Sequence, residues 1–277
     1  MNQTEILSDS VKTVAEKSND AGWIMHHILD GNTIETPFGE IHLPHWELFG
    51  IDISITKHVV VMWLVSIILI SVLAYVARSY KKSLVPKGLT NFMEVFILFV
   101  VDEIAKPTIG KGYEKFLNYL LTVFFFIMTC NFLGLIPYGA TATSNISVTA
   151  TLAVISFFVI QAGGMIKNGP FGYFKGLVPH GIPVFLIPIM FLVEILGLFT
   201  KPFALAIRLF ANMTAGHVVI LALIGLIFIL KTIWVSPVSV GFALFIYLLE
   251  ILVALIQAYI FTMLSSLFIG MAVHQEH

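Results

Sequence analysis

Charge is scarce in this chain of 277 residues: Asp, Glu, Lys and Arg together make up 11%, against roughly 25% in soluble domains. That scarcity, with 58% hydrophobic residues and a mean hydropathy of +0.96, excludes an ordinary soluble domain and leaves a polytopic membrane protein. The net charge of -1 offers no basic face, which excludes a nucleic-acid partner. A single cysteine, Cys130, excludes an intrachain disulfide and a cysteine metal cage; its apolar neighbours make it a packing residue. The first fifty residues lack a basic start followed by an apolar core, so no cleavable signal peptide is expected and insertion relies on the first membrane helix. His-Glu-x-x-His and Gly-x-Ser-x-Gly are missing, which argues against an intramembrane hydrolase. No inverted repeat of the kind that marks many secondary transporters is visible either.

What is present is a series of long apolar runs. Residues 1–57 are polar, with turn signals at Asp30-Gly31-Asn32 and Thr36-Pro37, and read as a water-exposed segment with one or two short helices. Its histidines, His26, His27, His42 and His45, have no nearby cysteine or carboxylate set and read as loop residues rather than metal ligands. The membrane domain follows at 58–277, with spans expected at about 58–77, 116–137, 146–166, 182–230 and 239–273. A shorter apolar stretch at about 90–105 contains Glu94 and closes on Asp102-Glu103, so it is expected to lie at the interface.

The run from 182 to 230 would make a helix of about 70 Å, over twice the hydrocarbon thickness. It either breaks near Gly197 and Pro202 or lies strongly tilted. Lys231 and Ser236-Pro237 supply the sole loop signal between the two long runs, which favours one antiparallel hairpin and five spans. Nine basic residues fall on the side holding Arg78 to Lys115 and Lys167 to Lys175, against Lys12, Lys17, Lys57 and Lys231 opposite. The excess of basic residues on one side places the N-terminus outside and the C-terminus in the cytoplasm.

Arg208 lies deep in the first long run. A guanidinium cannot shed its proton, and placing one at the centre of a membrane helix costs at least ~2.5 kcal/mol. The same run holds Glu194, Lys201, Asn212 and His217; the second holds Glu250 and Gln257. At 100° per residue Glu194, Arg208 and Asn212 fall within about 80° of one another, while His217 is about 180° from Arg208.

In an antiparallel hairpin, residues at one height share a constant sum of numbers. Arg208 with Gln257 and His217 with Glu250 give nearly equal sums, and half of either falls in the turn. Two polar rungs are therefore expected, Arg208 beside Gln257 and His217 beside Glu250, with a kink or rotation to bring His217 round. Buried polar ties between helices would account for Asn212 and Gln257. They leave Arg208 without a counter-charge, which points to a partner on another subunit. A His and Glu pair suits a proton path, because histidine titrates near neutral pH and intramembrane ionisable residues mark such paths.

The segment Lys201-Pro202-Phe203-Ala204-Leu205-Ala206-Ile207-Arg208-Leu209-Phe210-Ala211-Asn212-Met213-Thr214-Ala215-Gly216-His217 closely resembles the signature of subunit a of F-type ATP synthases. The likeness extends to Glu250 and Gln257, and more loosely to Asn131-Phe132-Leu133-Gly134-Leu135-Ile136-Pro137 and Ser144-Asn145. It implies an all-α fold of five spanning helices and one interfacial helix, the last two spans forming a long tilted hairpin against a rotating ring of c subunits. It also implies b-type peripheral stalk partners, a bacterial inner membrane location, no cofactor, and no catalytic ATP site on this chain. By the same resemblance Arg208 faces the ring carboxylate and separates two half-channels. His217 and Glu250 line the outer one, and Glu194 belongs to the inner exit. The better-known bacterial pattern has Glu on the fifth helix and His on the sixth, whereas here they are His217 and Glu250. A sodium-translocating version of the same subunit is the alternative.

Overall fold

The computed structural model describes residues 31, 33–36, 39–44, 47–48, 51–52, 54–82, 85, 87–136, 141–176, 183–230 and 233–274. Ahead of the first long helix, β1 (Thr33–Thr36) pairs antiparallel with β2 (Gly39–His42), and β3 (Glu47–Leu48) with β4 (Ile51–Asp52). Short helices were expected in this region, and the described part forms β-hairpins instead. The β-branched residues Thr33, Ile34, Thr36 and Ile41 suit paired extended chain better than a helix. Residues 1–30, where a short helix of that segment could also fall, lie outside the described residues, as do His26, His27 and His45.

Five helices are long and apolar enough to cross a membrane. They are α1 (Lys57–Lys82), α4 (Glu114–Gly134), α5 (Ile146–Asn168), α7 (Ile187–Leu230) and α8 (Ser236–Val273). Between α1 and α4 the chain forms α2 (Leu89–Phe99), a π-helical turn at Val100–Ala105 and α3 (Lys106–Ile109), and after α5 comes the short α6 (Pro170–Lys175). The result is a multi-pass, all-α membrane protein in which the N-terminal hairpins are the sole strands among the described residues.

The π turn has a packing consequence. The Lys106 N–H reaches back five residues to Val101 O, and i→i+5 bonding brings residues five apart toward one side of the helix. Val100, Ile104 and Ala105 are all fully buried as a result. Next to it, Thr108 Oγ1 shares a hydrogen bond of 2.5 Å with Ser266 Oγ, and the Thr108 backbone lies so close to Gly270 that a side chain there would collide with it. On the exposed side Lys106 Nζ donates to Asp102 Oδ1 at 2.6 Å, and that carboxylate raises the Lys106 pKa.

The two long runs form one hairpin. α7 is continuous for 44 residues and keeps Pro202 inside it, so the expected alternative of two separate spans is not adopted. At 1.5 Å per residue α7 is about 66 Å long and α8 about 57 Å, which inclines them steeply in a hydrocarbon layer of about 30 Å. α8 is the hub, packing against α4, α5 and α7. Its buried face carries Ala243, Ala254, Ala258, Ser265, Ser266 and Gly270, small residues that let helix backbones approach closely where there is no hydrophobic effect to drive them together. From α7, Leu205, Leu209 and Met213, one turn apart, enter the same core.

Candidate functional site

Glu250 is buried on α8, with 4% of its surface exposed, and packs over Gly216 of α7. A Cβ at position 216 would come within 2.6 Å of Glu250 Oε1 and 2.9 Å of Cδ. With that space vacant the carboxylate reaches the adjoining residue, and His217 Nδ1 stands 2.9 Å from Glu250 Oε1. The rung expected from the spacing is therefore formed within a continuous helix, and the expected kink or rotation is not needed for it, because His217 faces α8 while Arg208, half a turn away in phase, faces outward. The vacancy at Gly216 lets the carboxylate come close. The contact has ion-pair distance without hydrogen-bond alignment, and both Glu250 oxygens are buried without a hydrogen-bond donor. Such a carboxylate is costly when charged and alone. The imidazole beside it is the one titratable group within reach among the described residues, so the pair brings together two groups of the kind that exchange protons.

Gln257 departs from the expectation. Its Oε1 accepts a 2.9 Å hydrogen bond from Asn212 Nδ2, one turn beyond Arg208 on α7. Gln257 is 1% exposed within the helix interface, whereas Arg208 lies on an exposed flank of α7 and makes no hydrogen bond or ion pair among the described residues. A constant sum of residue numbers fixes height along a hairpin but not the direction in which a side chain points. Arg208 and Gln257 are near in height and differ in facing.

On the other side of Arg208 along α7, a cavity of about 440 Å³ opens among α5, α6, α7 and the end of α8. Glu194 and Lys201 line it from α7, Gln161 from α5, Tyr173 from α6, and His274 follows α8. Pro202, also on its wall, has no N–H to give to the Leu198 carbonyl one turn back, which loosens the helix there. Lys201 Nζ sits over the Phe268 ring, 5.4 Å from its centroid. Burial raises the pKa of the Tyr173 phenol, so it stays protonated. Of these residues, Glu194 was expected in a path. Gln161, Tyr173 and His274 were not, since they lie far apart in sequence and carry no shared motif.

A second polar cluster holds the His217 side together. Asn131 of α4 is fully buried; its Nδ2 donates to Ala254 O of α8 at 3.2 Å, and its Oδ1 accepts from Thr143 Oγ1 at 2.6 Å. Thr143 belongs to a 3₁₀ turn, Ala142–Ser144, which leads into α5 through the Asn145 cap, whose side chain accepts from the Ser147 N–H at 2.8 Å. Just before the turn, Thr141 Oγ1 shares a hydrogen bond with His217 Nε2. Tyr247 Oη donates to Leu135 O at 3.0 Å and closes the same region. Asn131 was legible as a polar residue inside an apolar run. Thr141 and Gly216 carried no signal that singled them out.

Five apolar spans, buried polar groups on both sides of an exposed arginine, and a hairpin far longer than the bilayer is thick define a multi-pass membrane protein built around intramembrane ionisable groups. The ATP synthase A chain family matches residues 59–270, and the chain belongs to that family. It is 55% identical over 258 residues to ATP synthase subunit a of Chloroherpeton thalassium, covering 91% of this chain and 77% of that one. It is 56% identical over 273 residues to ATP synthase subunit a 2 of Chlorobaculum tepidum, covering 97% and 77%. Subunit a of Anaeromyxobacter sp. (strain Fw109-5) is more distant, at 46% identity over 291 residues, 92% of this chain and 71% of that one.

Proposed function

We propose that this chain is the ion-translocating stator subunit of an F-type ATP synthase in a bacterial inner membrane, with protons as the ion. It works against a ring of c subunits and is held by b-type peripheral stalk subunits. The N-terminus lies outside and the C-terminal end in the cytoplasm. The observation that carries this reading is Arg208: a fixed positive charge on an exposed flank of a membrane helix, without a partner among the described residues. Its counter-charge comes from another subunit.

Along α7, Arg208 stands about 13 Å from His217 and about 21 Å from Glu194 at 1.5 Å per residue. A proton enters from outside by way of His217 and Glu250, with Asn212 and Gln257 at the inner end of that path, and neutralises a ring carboxylate. The neutral acid then turns into lipid without the cost of burying a charge. When it returns to Arg208, the guanidinium favours the ionised form and the proton leaves through the cavity past Glu194. The fixed charge of Arg208 also keeps protons from crossing directly between the two paths. The His217 and Glu250 pair favours protons over sodium, because an imidazole beside a carboxylate carries a proton and is a poor ligand for a hard alkali cation.

The test is ATP-driven proton pumping in inverted membrane vesicles containing the whole complex. Arg208→Ala is expected to abolish pumping while subunit a remains at normal abundance in the membrane. Pumping at the unmodified rate would remove Arg208 from its role.

A further inference from the structure

Besides Glu250, a second side chain touches His217. Thr141 is 2% exposed, and its hydroxyl meets Nε2 of His217, the ring nitrogen other than the one beside Glu250. Its placement is built rather than incidental. Ser144 donates to the Thr141 carbonyl twice, from its N–H at 3.0 Å and its hydroxyl at 2.7 Å. Thr143 anchors the turn to Asn131. Gly134 of α4 leaves open the space that the Thr141 side chain occupies, and a Cβ at 134 would overlap it.

We propose that Thr141 is a positioning residue for His217: its hydroxyl holds the imidazole in line with Glu250 and satisfies Nε2 in whichever proton state the ring adopts. This rests on the reading of His217 and Glu250 as the outer proton path. A neutral ring that keeps its proton on Nδ1, toward Glu250, presents a bare Nε2 that needs a donor. A ring protonated on Nε2 needs an acceptor at the same place. A hydroxyl serves as either by rotating about one bond, whereas an amide, a carboxylate or an ammonium has a fixed polarity at a given atom. In a buried site an unsatisfied ring nitrogen would penalise one of the states through which the proton must pass. Thr141 thereby keeps both states accessible, and Gly134 is the vacancy that admits it.

The experiment is ATP-driven proton pumping in inverted vesicles carrying the whole complex, normalised to the subunit a present, for Thr141→Val, Thr141→Ser, His217→Ala, the Thr141→Val/His217→Ala double variant and Gly134→Ala. Valine keeps the shape of threonine and loses the hydroxyl; serine keeps the hydroxyl. Thr141→Val is expected to pump about tenfold more slowly, Thr141→Ser near the unmodified rate, and Gly134→Ala to resemble Thr141→Val. Thr141→Val should cause no further loss once His217 is alanine. Equal loss in the valine and serine variants, or a full further loss in the double variant, would mean that Thr141 serves the turn alone and overturns the proposal. Normal pumping by Thr141→Val with impaired His217→Ala overturns it too, while leaving the outer path standing. Normal pumping by His217→Ala would overturn the path itself.

Discussion

Glu250 occupies the space that a side chain at Gly216 would fill, and from there it reaches the imidazole of the next residue. The distance is set by an absence on one helix and a carboxylate on the other, so the pairing is sensitive to changes that leave both titratable groups intact.

Gly216→Ala is expected to lower proton pumping about tenfold without touching His217 or Glu250. The added carbon would stand 2.6 Å from Oε1, so the flexible end of the Glu250 side chain must swing aside and leave its place against His217. Pumping rates in vesicles containing equal amounts of the complex give the answer, and an unimpaired variant would show that Glu250 finds its place without the vacancy.

Exchanging the pair separates chemistry from position. His217→Glu and Glu250→His should each impair proton flux, because two carboxylates or two imidazoles then share one buried rung and cannot both hold their charge. The double exchange restores one of each, and part of the flux should return. If the double variant does no better than the worse single one, the two residues act separately.

Charge alone does not meet the requirement at position 208. Arg208→Lys should fail in ATP synthesis driven by an ion gradient, since an ammonium within the membrane can lose its proton and cannot offer a planar fork to a carboxylate. Synthesis rates in vesicles energised by an imposed gradient test this, and substantial synthesis by the lysine variant would contradict the role given to a permanent charge.

Asn131→Leu probes the frame. The change strands the Thr143 hydroxyl and removes the tie to Ala254, and ties of this kind inside membranes are worth about 1 kcal/mol. The detergent-solubilised complex should lose subunit a at a lower temperature, with pumping at low temperature reduced less than in Gly216→Ala. Equal thermal retention would mean that Thr143 finds another acceptor.

The five spans and the hairpin were legible because hydropathy reports bilayer length directly, and the basic residues mark the loops. The His217 and Glu250 rung was legible for a related reason: antiparallel helices rise at equal rates, so residue numbers add to a constant. Facing was not. Gln257 bonds Asn212 rather than standing with Arg208, and only packing decides which of several groups at one height meet. The short hairpin of Thr33–Thr36 and Gly39–His42 was hidden because Thr36-Pro37 reads as the end of a helix as readily as a turn between strands. The cavity beside Glu194 draws Gln161, Tyr173 and His274 from three places far apart in sequence and outside the signature that begins at Lys201.

Gly134 and Gly216 together invert a common experimental logic. Alanine scanning identifies working residues by cutting side chains away, yet at these two positions alanine inserts an atom where Thr141 and Glu250 already are. Both positions would score as essential in such a scan although neither carries a group able to bind a proton. What such a scan would register there is the outline of the passage, drawn by the atoms it must not contain.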